Sequence, residues 1–423
     1  MPPAQSPSPA LPRPASKRSA VPPFIVMDVI SAVARREAEG ASVIHMEVGQ
    51  PGAPAPRVAR EAVKRLLDTD PLGYSEGLGR SALRERIARH YFEQYGVKIA
   101  PERVIVTTGS SAAFVLAFLA LFDAGERVIL PSPGYPCYRH ILSALGVESL
   151  IVETGPDTRW MPTSEQIDRA VLSHRGQGIA KGELTAADVE APRQRGLAGM
   201  LVASPSNPTG TMLEPGRLAA LVETCRNWNM WFISDEIYHG LTYDRPADTA
   251  LRHGDDVIVI NSFSKYFSMT GWRIGWLVVP PGLVRTIERL AQNLYICPPA
   301  ISQAAALAAF DAADELEANR AVYRANRDLL LAELPKVGLP NIVPADGAFY
   351  LYVDVSRYTD DSLAFTREML AEAGVAATPG VDFDEARGNR FVRFSYSGTT
   401  ADMAEAMRRL ARWPRLAVRG GDQ

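Results

Sequence analysis

The sequence predicts an α/β fold, with a mostly parallel central sheet covered by helices on both faces and a smaller α+β domain beside it. Three observations predict it. From about residue 100, short β-branched runs alternate with helical stretches, and most of those runs are apolar at nearly every position. Beyond Pro299, long helical segments are broken by two strand-like runs. A strand apolar on both faces belongs in a sheet covered on both sides, and strand–helix alternation makes such a sheet mostly parallel.

The elements follow in order. Residues 103–107 (RVIVT) read as a strand, followed by Gly109, Ser110 and Ser111 and an apolar helix from Ala112. Residues 127–130 lead through a proline-rich turn into a helix near 138–145. Further strands are expected at 149–152, 199–203, 231–234, 257–260 and 274–279, and those of the second domain at 348–353 and 390–396. Residues 176–195 are polar, mixed in charge and aperiodic, which reads as a surface loop or insertion. No internal repeat is apparent.

Composition bounds the function. A formal net charge of −3 over 423 residues gives no reason to expect nucleic acid or an anionic membrane as a partner. Cys137, Cys225 and Cys297 are scattered without a CxxC pair, which points to a reducing, cytoplasmic setting. The six histidines show no HExxH-like spacing, so no metal site is expected. The most apolar run, 112–122, is too short to cross a bilayer. Residues 1–23 are proline-rich and lack the apolar stretch of a signal peptide, and their prolines oppose the amphipathic helix of a transit peptide; a disordered tail is expected.

Four motifs fall at the carboxyl ends of predicted strands, where the ligand crevice of such a sheet lies. Lys265, in SFSK, follows the 257–260 strand, with Arg273 eight positions on. Desolvation there favours the neutral amine that attacks an aldehyde, and an arginine clamps a phosphate with two parallel hydrogen bonds. Asp235 ends the 231–234 strand, with Tyr238 three residues later; a carboxylate on a pyridine nitrogen keeps that ring protonated. Asn207 sits in SPSNPTG, a loop stiffened by two X-Pro steps. The Gly109-Ser110-Ser111 turn opens a helix whose free N–H groups make an anion site. Singly, each has an ordinary reading: a surface lysine, a strand-end aspartate cap, a proline turn, a serine N-cap.

Together they resemble the fold-type-I pyridoxal-phosphate-dependent aminotransferases (class I/II, the aspartate aminotransferase superfamily) over most of the chain. SPSNPTG, DEIY and SFSKYFSMTGWRIGW are strong signatures of that family and stand in its order and approximate spacing. The resemblance implies pyridoxal 5'-phosphate held by Lys265 as a Schiff base, with Lys265 then moving the proton. It implies Asp235 on the pyridinium nitrogen, Tyr238 and Asn207 on the ring's phenolate oxygen, and Ser110, Ser111, Ser262 and Arg273 on the phosphate. Tyr135, in PSPGYPCY, resembles the aromatic that stacks on the ring. Tyr74, in GYSEGLG, resembles the tyrosine that reaches the partner's phosphate in a homodimer. Arg393 in FVRFSYS, with Gly49 in EVGQP and Asn207, is placed on the substrate α-carboxylate.

The family also implies a small domain built from both ends of the chain. The expected division is a tail at 1–23, the small domain's N-terminal segment at 24–60, the large cofactor-binding domain at 61–299, the small C-terminal domain at 300–415 and a tail at 416–423. No arginine or lysine occurs in 291–303, and none in the GSS turn, where dicarboxylate-specific members present a second cation. The expected reaction is therefore ping-pong transamination between a neutral or apolar amino acid and a 2-oxo acid. A C–S β-lyase would use the same site. A transcription regulator with an aminotransferase-like sensor domain needs a DNA-binding module, for which the 23 residues ahead of the domain leave no room.

Overall fold

The computed structural model describes residues 13–180 and 196–417. After β1 (Ile44–His45), the central sheet is built from β2 (Val104–Thr107), β3 (Arg127–Ser132), β4 (Glu148–Glu153), β5 (Leu197–Ala203), β6 (Trp231–Asp235), β7 (Ile258–Ser262) and β8 (Gly275–Val278). Their spatial order is β2-β8-β7-β6-β5-β3-β4. β8 pairs antiparallel with β2 and β7, and the remaining pairs are parallel.

Side-chain alternation divides each strand between two cores. Ile105, Ile233, Ile258, Ile260 and Leu277 pack on one face of the sheet, while Val106, Phe232, Val259, Trp276 and Val278 pack on the other. Both faces are covered, which is why the strands read as continuous apolar runs. The first helices of the chain are α1 (Ile25–Ala38), α2 (Arg57–Thr69), α3 (Ser81–Tyr95), α4 (Gly109–Leu121), α5 (Pro136–Leu145) and α6 (Ser164–Ala180). α4 is apolar nearly all round and lies against β7 and β8, with Ala113, Leu116, Ala117 and Phe118 buried. That packing sets its N-terminus at the carboxyl end of β2.

A second core gathers Leu330, Phe349, Leu351, Val353, Phe394 and Trp413. It covers β9 (Tyr350–Asp354), β10 (Val375–Ala376), β11 (Thr378–Pro379) and β12 (Phe391–Ser395). β11, β12 and β9 form an antiparallel sheet, while β1 pairs parallel with β10 and so ties the N-terminal segment to the C-terminal part.

Three expectations change at their edges. The stretch taken as a loop from 176 begins as helix, because α6 runs on to Ala180; residues 181–195 lie outside the described residues. Of the expected N-terminal tail, residues 13–23 are exposed, with a 3-10 turn at Lys17–Ser19 near α5, and 1–12 lie outside the described residues. At the other end Leu416 is buried in the second core, so packed chain continues past 415, and 418–423 are outside.

Candidate active site

A cavity of about 220 Å³ opens where β2, β5, β6 and β7 end. Lys265, Asp235, Asn207, Tyr238, Tyr135, Ser110, Ser111, Arg273, Arg393 and Gly49 all line it. The sheet alone brings most of them together, since each follows the carboxyl end of a neighbouring strand.

Lys265 lies three residues beyond β7, and its Nζ donates to the Gly49 carbonyl at 2.6 Å. Burial lowers its pKa to about 8, with the cations Arg393 and Arg273 acting in the same direction and Asp235 against them. A substantial share of this amine is therefore neutral near physiological pH. Asp235 is 3% exposed at the end of β6. One carboxylate oxygen accepts from the Tyr138 hydroxyl and the other from the Ile237 N–H at 3.1 Å. Burial still raises its pKa to about 6 against these donors and Lys265. A carboxylate so enclosed, with only hydroxyl and amide donors bonded to it, is a receptor for a cationic ring nitrogen.

Asn207 accepts through Oδ1 from Arg393 Nη1 at 2.9 Å. Arg393 stands in β12 and is 2% exposed; its Nη2 donates to the Glu47 carbonyl and, at 3.1 Å, to Thr378. Its guanidinium lies 4.5 Å from the Tyr350 ring centroid and 4.8 Å from that of Phe383. The two rings hold the group while leaving an edge for recognition. Its buried Nε has no hydrogen-bond partner among the described residues. The Tyr238 and Tyr350 hydroxyls share a hydrogen bond of 2.8 Å.

Opposite these groups, α4 presents its N-terminus with Ser110 and Ser111, and Arg273 lies alongside in a left-handed backbone conformation (φ 51°). A Cβ at Gly109 would collide with Arg273 Nη2, and Gly109 itself has φ 74°. Only glycine permits that approach of arginine to helix terminus.

Ser262 and Tyr74 do not line this cavity, and for Tyr74 the expected place is the phosphate site of a partner subunit. Ser262 is 1% exposed and is not part of the cavity wall; its hydroxyl donates to the Ile274 carbonyl at 3.0 Å and lies 2.9 Å from Ser264 Oγ. Ser264, two residues on and on the same side of the turn, lines the cavity instead. Tyr74 is 84% exposed and away from its own chain's cavity.

Sequence reasoning missed Tyr138, Tyr350 and the apolar face of α1. The signal for Tyr138 was its place three residues after Tyr135, one helical turn along α5. Tyr350 carried none, because its role depends on β9 lying next to β12.

Residues 41–410 match the family Aminotransferase class I and II. The chain belongs to that family. It is a transaminase, acting between an amino acid and a 2-oxo acid, and its cofactor is pyridoxal 5'-phosphate. A valine–pyruvate aminotransferase of Mycobacterium tuberculosis is 46% identical over 94% of this chain and 97% of its own. A (5-formylfuran-3-yl)methyl phosphate transaminase of Methanocaldococcus jannaschii is 31% identical over 92% and 95%. Among solved structures, an aminotransferase from Mycobacterium tuberculosis superposes with TM-score 0.87 at 45% identity, covering 95% of this chain and 99% of that one. The aspartate aminotransferase from Thermus thermophilus with maleate gives 0.84 at 31%, covering 95% and 99%.

The residues present fit the cofactor of an aminotransferase: an enclosed acid for the ring nitrogen, a depressed-pKa amine for the aldehyde, and a glycine-relieved cradle for the phosphate. Gly109→Ala tests the cradle. The left-handed backbone alone costs about 1–2 kcal/mol with a Cβ, and the collision drives Arg273 outward. Cofactor affinity of the aminotransferase is expected to fall by about tenfold or more, read from the equilibrium titration of the apoenzyme.

Proposed function

We propose that this transaminase takes neutral, apolar amino acids as donors and works by a ping-pong cycle centred on Lys265. The supporting observation is the wall facing Lys265. Phe24, Met27 and Ile30 recur every three residues from the start of α1, and Val26 lies four before Ile30, so one helical face turns into the cavity. Val48 and Ile237 extend that wall. Among the described residues lining the cavity the cations are Lys265, Arg273 and Arg393, and each already has a proposed anionic or cofactor partner. Nothing remains to pair with a second carboxylate on the donor.

When bound, pyridoxal phosphate supplies an aldehyde for the Lys265 and substrate amines in turn, and a ring that draws electrons from the substrate's α-carbon. The protein does the rest. Lys265 Nζ, set free by the incoming amine, would carry the proton from the substrate's α-carbon, past the shared nitrogen, to the cofactor carbon that bore the aldehyde. Asp235 holds the positive charge of the ring nitrogen in place. Tyr238 and Asn207 donate to the ring oxygen, and Tyr135 packs on the ring face. Ser110, Ser111 and Arg273, with the N–H groups of α4, hold the phosphate. Arg393, aligned by Asn207 and by the rings beside it, pairs with the donor's α-carboxylate; the backbone at Gly49 adds to that contact.

The two-ended small domain, 24–60 with 300–415, is proposed as the part that closes over the substrate, and the β1–β10 pairing supports it. A homodimer is proposed as well. Tyr74 projects into solvent, and the nearby Leu72, Leu294 and Ile296 are exposed apolar groups, with Gly77 packed on Gln292. Tyr74 of one subunit then serves the phosphate site of the other. A cytoplasmic location accords with three unpaired cysteines.

The donor class is tested by half-reactions of the purified enzyme with single amino acids, followed by the cofactor's absorbance. The name of the valine–pyruvate relative makes valine and pyruvate the first pair to try. Valine, leucine or alanine is expected to react at least about tenfold faster than aspartate. Met27→Arg is expected to narrow that gap by placing a cation on the apolar wall. Preference for aspartate in the wild type would remove the donor assignment.

A further inference from the structure

His239 lies outside the cavity, yet it joins the two loops that carry Asn207, Asp235 and Tyr238 to the cavity wall. It is 6% exposed, four residues beyond Asp235. Its Nε2 is 3.0 Å from the Ser204 carbonyl oxygen. A carbonyl only accepts, so Nε2 carries the proton. Its Nδ1 is 2.7 Å from the Tyr95 hydroxyl of α3, and with Nε2 protonated Nδ1 is the acceptor. Glu236 lies on the same side, with an oxygen 3.5 Å from Nδ1. That carboxyl is occupied by Thr249 at 3.0 Å, the Ala250 N–H at 2.9 Å and Ser234 at 3.2 Å.

Ser204 is therefore held from both ends by one turn. Its N–H donates to the Asp235 carbonyl at 3.2 Å, and its carbonyl accepts from His239. Three residues further along, Asn207 receives Arg393. We propose that His239 is a positioning residue that locks the 204–210 loop to the 235–239 turn in its neutral, Nε2-protonated form, with Tyr95 selecting that tautomer, so that Asn207 and Arg393 stay in register with Asp235 and Tyr238. This inference rests on the roles proposed above for Asp235 and Asn207.

The test compares His239→Leu with His239→Gln, whose side-chain amide restores a donor near the Nε2 position. In the leucine variant, pyridoxal phosphate affinity of the apoenzyme is expected to fall by about tenfold, and the KM for the amino donor to rise by a similar factor. Glutamine is expected to recover both to within about threefold of wild type. Nitrogen-15 spectra of histidine-labelled enzyme should show His239 neutral and Nε2-protonated. Unchanged affinity and KM in His239→Leu, no recovery with glutamine in a variant that folds, or an Nδ1-protonated signal would each overturn the proposal. Should the leucine variant fail to fold, Tyr95→Phe replaces it, with an expected loss of about threefold in cofactor affinity and unchanged affinity as the contrary result. Failure of the underlying site reading shows separately, as wild-type-like behaviour of Asp235→Asn.

Discussion

Replacing Lys265 by alanine is expected to lower transamination by about 10⁴-fold or more, because the proposed mechanism makes one side chain both the covalent attachment and the proton carrier. Pyridoxal phosphate should still bind through Arg273, Ser110, Ser111 and Asp235, since none of those contacts uses the lysine. The pairing of lost turnover with retained, noncovalent cofactor is the signature; wild-type-like turnover would end the mechanism proposed here. The wild-type apoenzyme gives a second reading of the same amine. Burial lowers the Lys265 pKa to about 8, and only the neutral form attacks an aldehyde. Cofactor uptake should therefore accelerate as pH rises toward about 8 and level off above it, as followed by stopped-flow absorbance. A rate still climbing steeply toward pH 10 would mean an ordinary, solvated lysine.

Asp235→Asn should be nearly as damaging, with kcat lower by about 10³-fold. Asparagine keeps the shape and the place at the end of β6, but it cannot carry the charge that matches a protonated ring. Acid should imitate the substitution. Burial raises the Asp235 pKa to about 6, so without the cofactor its carboxylate is lost as pH falls through that value. Cofactor affinity of the wild-type apoenzyme is then expected to weaken below about pH 6, while the asparagine variant, weak throughout, loses that dependence. Equal pH profiles for the two proteins would place the ring-nitrogen contact elsewhere. Tyr138, which donates to the same carboxylate, is the neighbour to watch, because a donor on an ionised acid favours its charged form.

Much of the site was legible in the chain because it is built from strand ends. Lys265, Asp235, Asn207 and the Gly109-Ser110-Ser111 turn each follow a short, largely apolar run. In a mostly parallel sheet those ends share one edge, so linear motifs converge without any detail of packing. The place of Ser262 was not legible, for the opposite reason. Within SFS, which serine faces the cavity depends on the turn after β7, and the Ile274 carbonyl takes the first hydroxyl inward. The polar run from 176 misled in a similar way, since α6 carries through it to Ala180 without an apolar stripe at its end.

By itself, then, the chain determined the α/β class, the motif order and most of the groups that meet in the cavity, because these depend on strand and helix periodicity and on residue chemistry at strand ends. Tertiary structure alone decided that Tyr138 faces Asp235, that Tyr350 and Phe383 flank Arg393, that α1 turns an apolar face into the cavity, and that His239 reaches Ser204. Each of those contacts joins segments far apart along the chain. Their geometry is fixed by how helices and sheets pack around two cores, which no local pattern of residues records.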